Sequence, residues 1–540
     1  MSFLAPSTSC LQSTERVGRG ATSGKRYALF ISYIYRLVSK YGPEQSPHTA
    51  SIHILDDDSL LNVFYLYRPF LLGEDDEDEE SHFWGGGRRW VRGRWWYRLA
   101  HVCQRWRNVL LGSATYLDLS LVCTMGTPVA DMLAHSPPLP LVIDYDQKSS
   151  ATDATAEDEE GALLAFKQRD RVHRVRLLMP VANLQKLVAA MDGEYPILEY
   201  LVIWNLIEDN SSILTIPETL QAPHIRLLSL TGFALPIRSQ LLANAVSLIT
   251  LSLAMNHPST YLRPNILLQW LSSMPQLENL AISLAFPVPN RDVERQLSNT
   301  PYITPVTLSV LRFFRFRGAS TYLEALVHQI NTPLLKKLQI FFYNQLTVFI
   351  PRLRQFMNTT ENLSLVPRFE NVKFEFFDKW AFVALYPRGE VNTHAFSIKV
   401  DCRHLDWQVS SMAEISNSLS QVFSAVENLI LTHEEHSQSS EEHNEVDRTE
   451  WRKLFRPFSN AKGLWVDDGL VGEVTRCLQS EDGELSLEAL PELRKIAYAG
   501  SGKNGDKFTS FIDARRNADR PITLIHPPSP SPDPSSSVIR

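Results

Sequence analysis

Apolar positions recur at helical spacing soon after residue 52: Leu60, Leu61, Phe64 and Tyr67 stand at i, i+1, i+4 and i+7, the stripe of one helical face. Asp56, Asp57 and Asp58 just ahead of it offer a capping side chain and negative charge at the N-terminal end of that helix. A second stripe, Leu99, Val102, Cys103, Trp106 and Leu110, predicts another amphipathic helix that Gly112 closes. The period then drops to two. Alternating Leu117, Leu119 and Leu121 predict a strand, and Leu139 to Ile143, behind the Pro137-Pro138 pair, predict another.

Farther along, one short pattern of the form L-x-x-L-x-L returns again and again. Its copies are Val172, Val175, Leu177; Leu198, Leu201, Ile203; Ile225, Leu228, Leu230; and Leu248, Leu251, Leu253. It continues with Leu277, Leu280, Ile282; Leu308, Leu311, Phe313; and Leu335, Leu338, Ile340. First positions are 26, 27, 23, 29, 31 and 27 residues apart, at or near the spacing of leucine-rich repeats, about 20 to 29 residues. Such a copy is a short strand whose alternate side chains point into a stack, where the neighbouring copies bury it. Tyr195-Pro196, Ala222-Pro223, Met274-Pro275 and Thr332-Pro333 precede strands, where the chain turns inward. Asn265 to Met274 and Tyr322 to Ile330 have the helical spacing of an outer layer. Looser copies follow at Val426, Leu429, Leu431, at Leu464 with Val466, and at Leu493, Ile496, Tyr498. Between 366 and 420 the register is lost, although Phe396, Ile398 and Val400 are strand-like, and an insertion or irregular repeat is expected there. The predicted fold class is α/β: a small helical module followed by an irregular leucine-rich-repeat solenoid with a strand and a helix per repeat.

At 540 residues the chain exceeds one ordinary core, and its 44% hydrophobic and 21% charged content is that of a folded globular protein. Disorder is expected in residues 1–47, rich in Ser, Thr, Gly and Pro, and in the Pro/Ser tail 526–540. An acidic run, Glu74 to Glu80, with Gly85 to Gly87 behind it, reads as a solvated insertion at about 68–95. The polar, acidic stretch 146–165 reads as a linker between a module at 48–145 and a solenoid at 166–525. A net charge of −7 gives no support to polyanion binding. Tyr27 to Val38 is too short to span a bilayer and has no cleavage site behind it. Five scattered cysteines, Cys10, Cys103, Cys123, Cys402 and Cys477, without a CxxC pair, fit a reducing compartment. No membrane contact is therefore expected, and the location is intracellular, cytoplasmic or nuclear.

Chemistry-bearing motifs are sparse. Gly502-Lys503 lacks the upstream glycine and the following Ser or Thr of a phosphate loop, those positions holding Ala497 and Asn504, and reads as a flexible loop. His433, Glu434, Glu435, His436 and His443 lack zinc-site spacing and read as a solvated loop. Arg88 to Arg98 interleaves arginines with Trp90, Trp95, Trp96 and Tyr97, the composition of a single-strand nucleic-acid binder. Without a wider basic surface, the aromatics read as helix packing and the arginines as neutralising the acid run. No catalytic residue, cofactor, metal or nucleic acid is assigned, so the chain is expected not to be an enzyme. A hydrolase hidden in the irregular 366–420 region is the remote alternative.

Leu55-Asp56-Asp57-Asp58-Ser59-Leu60-Leu61-Asn62-Val63-Phe64 resembles the first helix of the F-box family, whose pattern reads roughly LPDDVLLEIF. Trp96, Leu99, His101, Val102, Cys103, Gln104, Arg105, Trp106 and Arg107 resemble that family's V-C-x-x-W signature with its flanking basic residues. With Gly112-Ser113, Val122-Cys123-Thr124, Gly126-Thr127-Pro128 and Leu139-Pro140-Leu141-Val142-Ile143, the segment 52–145 is similar to F-box-like proteins abundant in mushroom-forming fungi, which usually carry a repeat body behind it. The chain departs from the pattern in having Asp56 where the family has proline, and in its long acidic insertion. The resemblance implies a docking module for the Skp-type adaptor of a cullin ubiquitin ligase, with Leu55, Leu60, Leu61, Val63, Phe64, Val102 and Trp106 as the contact residues. It also implies that the repeats hold a protein substrate of unknown identity. A repeat scaffold whose helical module is only a structural cap is the alternative.

Overall fold

A computed structural model of the chain describes residues 55–68, 95–147, 154–205, 213–284, 305–343, 348, 350–358, 369–387, 394–434, 447–479, 489–499 and 505–525. The expectations for residues 1–47, for the acidic and glycine-rich run, for Arg88 to Arg94, for Gly502-Lys503, for His436 and His443, and for the tail 526–540 lie outside the described residues. The chain divides into two compact units, Met1–Asp144 and Tyr145–Arg540.

In the first unit, helix α1 (Asp57–Tyr67) begins where the Asp56 carboxylate accepts the Ser59 backbone N–H at 2.7 Å. Leu60, Val63 and Phe64 form its buried face. The single second helix expected from the apolar stripe is instead two, α2 (Trp95–Ala100) and α3 (Gln104–Gly112). The backbone extends at Cys103 (φ −160°), whose thiol caps α3 by accepting the Trp106 N–H at 3.5 Å. Trp106 meets Phe64 edge to face at 5.0 Å, and Trp96 donates its indole N–H to the Ser120 carbonyl at 3.2 Å. Leu117 and Leu119 are buried but not on a strand. Asp118 between them adopts a left-handed backbone (φ 51°), so both side chains turn inward without alternation. Strand β1 is confined to Leu121–Cys123, helix α4 (Val129–His135) follows, and β2 (Leu141–Asp146) pairs with β1 in parallel.

The second unit opens with α5 (Ala156–Phe166), so half of the expected linker is helix. Thr155 and Asp158 form a reciprocal capping box there, and the acidic residues that read as a linker serve as favourable first-turn charge. Strands β3 (Val172–Met179) and β4 (Tyr200–Asn205) follow, with α6 (Val181–Ala190) between them. Next come β5 (Leu214–Thr215), β6 (Leu227–Thr231), β7 (Phe233–Ala234), α7 (Gln240–Ala243), β8 (Thr250–Met255), α8 (Pro264–Leu271) and β9 (Asn279–Leu284). Then follow β10 (Val306–Thr307), β11 (Phe313–Gly318), α9 (Ser320–Val327), β12 (Ile330–Asn331), β13 (Lys337–Phe342) and α10 (Pro351–Asn358). The rest comprises β14 (Phe369–Phe377), β15 (Trp380–Pro387), β16 (Phe396–Asp401), α11 (Leu405–Ser418), α12 (Ser420–Phe423), β17 (Asn428–Glu434), α13 (Arg448–Phe455), β18 (Gly463–Asp467), α14 (Val471–Leu478), β19 (Lys495–Ala499), α15 (Thr509–Asn517) and β20 (Thr523–Ile525). A helix in every repeat was expected, but between β4 and β6 none occurs among the described residues, and α7 is a single turn. His433 and Glu434, expected on a solvated loop, instead end strand β17.

From β3 to β20 the long strands lie side by side in one sheet, in the order β3-β4-β6-β8-β9-β11-β13-β16-β15-β14-β17-β18-β19-β20. Two unbroken rows of apolar side chains cross it. One runs Val175, Leu201, Leu228, Leu251, Leu280, Phe314, Leu338, Phe396 and on through Leu385, Val372, Leu429, Leu464 to Ile496. The other begins at Leu177 and Ile203 and includes Phe316, Ile340, Ile398, Val383, Phe374, Leu431 and Val466. All of these side chains are buried, each removal from water being worth roughly 1.5–3 kcal/mol against the entropy of ordering the chain.

These registers correct one copy of the motif. Phe314 and Phe316, not Leu311 and Phe313, continue the rows, and Leu311 is the leading residue. The turn ahead of each strand agrees: Leu311 N donates to Leu308 O, as Leu277 does to Met274 and Leu335 to Thr332. Several copies are tied to the next by one carbonyl that accepts two N–H groups. Arg226 O takes Ile249 and Thr250, Glu278 O takes Arg312 and Phe313, and Lys462 O takes Arg494 and Lys495.

The irregular stretch is a reversed hairpin. After β13 the chain passes through α10 to β14 and returns along antiparallel β15 to β16, which pairs in parallel with β13; α11 then leads on to β17 beside β14. Among the described strands of this sheet only β15 runs against the others, and the apolar rows cross it without a slip.

Candidate partner-binding surfaces

The contact residues implied by the F-box resemblance divide sharply. Leu55, Leu60, Val63, Phe64 and Trp106 are buried within the first unit, none more than 8% exposed. Leu61 is half-buried, while Val102 stands out at 55% exposed because the break at Cys103 takes it off the buried face. Tyr67, expected on the inward face of α1, lies on the outside.

Of the apolar residues that do reach solvent in this unit, Val102 was implied as a contact from the sequence, whereas Tyr65, Leu66 and Tyr116 were not singled out. Tyr65, Leu66 and Tyr67 end α1, and Tyr116 lies in the turn after α3; these four are 38–50% exposed. The Tyr65 and Tyr116 rings meet at 5.4 Å, and Tyr67 faces Trp95 at 6.3 Å. An exposed tyrosine pair combines a wide apolar face with a polar tip, a composition suited to interfaces. The signal was present as Tyr65-Leu66-Tyr67, an apolar run longer than one helical face can bury, but helical spacing alone assigns such residues inward. At the other, N-terminal end of α1 Arg105 bridges the loop and the helix: its guanidinium donates to Asp57 at 2.8 Å and to the Leu55 carbonyl at 2.5 Å. Asp57, Arg105, Gln104, Asn108 and Val109 line a shallow cleft of about 410 Å³.

Ionisable groups in the second unit are mostly structural. The Glu324 carboxylate accepts the backbone N–H groups of Arg352 and Leu353, at 2.7 and 2.8 Å, at the start of α10, and burial pushes its pKa above the usual range. Burial pushes the Cys402 and Cys477 thiols up to about 12, so both stay protonated at neutral pH, the wrong state for a nucleophile. Among the described residues no group of three or more His, Cys, Asp or Glu side chains converges as a metal site, and no helix is long and apolar enough to cross a membrane.

No protein-family model matches the chain, and no curated protein matches it in sequence. Among solved structures, the leucine-rich repeat-containing protein LegL7 from Legionella pneumophila matches at 12% identity and a TM-score of 0.25, over 73% of this chain and 97% of that one. So slight a likeness leaves the mixed α/β repeat architecture standing on the strand registers themselves.

Proposed function

We propose that the chain is a substrate-recognition adaptor of a Skp–cullin–F-box type ubiquitin ligase, with no catalysis of its own. The first unit grips a Skp-type adaptor and the repeat sheet of the second holds a protein substrate. The observation that carries this reading is the set of solvent-facing Tyr65, Leu66, Tyr67, Val102 and Tyr116 in a small unit whose core is already filled by Leu60, Phe64 and Trp106. Large exposed apolar side chains close in sequence mark a partner surface better than scattered single ones. The F-box resemblance names the partner, and the burial of Leu55, Leu60, Val63 and Phe64 favours the outer aromatics over these core residues for the docking role.

The burial of Leu60, Val63, Phe64 and Trp106 favours a second reading, a non-catalytic repeat scaffold whose helical module serves only as a structural cap. A pull-down with a purified Skp-type adaptor separates the two. Wild type is retained at micromolar concentration, and the surface variant Tyr65→Ser/Leu66→Asp/Tyr116→Ser, with an unchanged thermal melt, is not. Absence of wild-type retention sinks the adaptor reading and leaves the scaffold.

A further inference from the structure

Along β11 the side chains alternate: Phe314 and Phe316 are buried, while Phe313, Arg315 and Arg317 take the opposite face of the sheet. On that face the two strands before β11 carry small groups, with Ser252 and Ala254 on β8 and Ala281 and Ser283 on β9. At β11 the character changes abruptly. Lys337, Gln339 and Phe341 stand beside Phe313, Arg315 and Arg317, and Lys399 on β16 stands beside Phe341.

Aromatic rings hold these cations. Arg317 lies 4.5 Å from the centroids of both Phe341 and Tyr343, Lys337 lies 5.8 Å from Phe313, and Lys399 lies 3.9 Å from Trp380 and 5.1 Å from Phe341. Arg315 donates to Gln339 at 2.9 Å, and Gln339 in turn meets His394 at 3.0 Å. Ring contacts of this kind fix a long side chain while leaving its charge in place, which lowers the ordering cost of binding an anion. On the strands that form the band, the carboxylates of this face are Asp401, across from Trp380, and Glu375, paired with Lys373; Glu434 and Asp467 follow on β17 and β18. In a chain of net charge −7 the band is thus a local concentration of positive charge.

We propose that this band is the substrate-recognition site and that it takes an extended peptide segment bearing acidic side chains at alternate positions. The proposal rests on the reading of the second unit as the substrate holder and names the class of substrate. Arg315 and Arg317 are two residues apart on a strand, so their Cα atoms lie about 6.6 Å apart, the repeat of alternate side chains in an extended peptide. Carboxylates at that repeat meet the two guanidiniums in turn, while the side chains between them point away from the sheet. A nucleic-acid ligand is disfavoured by the acidity of the whole chain.

The test uses the full-length chain and a fluorescent decapeptide of alternating Glu and Val, with a Gln-for-Glu peptide as the neutral control. Fluorescence anisotropy is expected to show saturable binding of the acidic peptide only, weakening with added salt. Arg315→Gln/Arg317→Gln weakens it about tenfold, the scale of two lost charge contacts, whereas Arg494→Gln/Lys495→Gln, at the strand β19, does not. If the double variant melts early, exposed Arg317→Gln alone carries the test, with a loss of about threefold. Equal binding of the neutral peptide, or unchanged binding by the Arg317 variants, overturns the proposal. So does a single-stranded RNA decamer that binds more tightly than the peptide and loses binding in the same variants. Because none of these positions lies in the first unit, retention on the Skp-type adaptor scores the ligase reading separately.

Discussion

Two carboxylates show how the surroundings of one residue set the direction of its pH dependence. Asp56 is held below the usual aspartate range chiefly by the Ser59 backbone N–H it accepts. Its contribution is therefore present above the unfolded pKa and is lost as pH falls through the lowered folded value. Asp56→Ala is expected to cost about 1 kcal/mol at neutral pH, read as faster amide exchange in the first turn of α1, and to cost less in acid. Glu324 runs the other way. Burial raises its pKa, so the folded chain holds that proton more tightly than the unfolded chain, and the stability this contributes is full below the unfolded value of 4.5 and lost as pH rises through the folded value. Glu324→Ala leaves the Arg352 and Leu353 N–H groups without their acceptor, a loss of about 2 kcal/mol, measurable as a lower urea midpoint at pH 7. Glu324→Gln flattens the fall in stability between pH 4.5 and neutrality. Asp56 was legible from the sequence because a cap lies next to the helix it starts; Glu324 was not, because its partners are 28 and 29 residues away.

Among the elements, the repeat strands were legible for a physical reason: burying a strand between two like neighbours demands large apolar groups at the same two positions each time. The misplaced copy shows the limit of that signal. Leu308 and Leu311 reproduce the opening of the motif, yet Phe314 and Phe316 fill the rows, and only the neighbouring strands decide between them. The reversed hairpin was legible only as a loss of register, since pairing β16 with β13 across the intervening β14 and β15 is a long-range choice. The break between α2 and α3 was hidden because Val102 and Cys103 fit the helical stripe, and only the extended backbone at Cys103 takes Val102 out of it. Trp106→Ala is expected to cost about 3–5 kcal/mol, as for a buried aromatic, while Val102→Ser stays within about 0.5 kcal/mol, as for an exposed site. A continuous helix would make both substitutions costly, and denaturant unfolding followed by amide exchange in α1 and α3 distinguishes the two cases.

At the scale of the whole molecule, each unit pairs a filled interior with a surface of distinct chemistry. The first has buried Phe64 and Trp106 with exposed tyrosines and leucine, and the second has two apolar rows on one sheet face with a basic, aromatic band on the other. This division is what an adaptor requires, since two different partners must be held by chemically different surfaces. Interiors were readable from periodicity, whereas the surfaces emerged only once it was known which side chains the interiors leave outside. The most direct measurement is hydrogen–deuterium exchange of the full-length chain with and without a saturating Skp-type adaptor. Adaptor docking on the first unit predicts new protection in 57–67 and 95–116 and none in β11, β13 and β16. Protection on those sheet strands, or no protection anywhere at saturation, would contradict it.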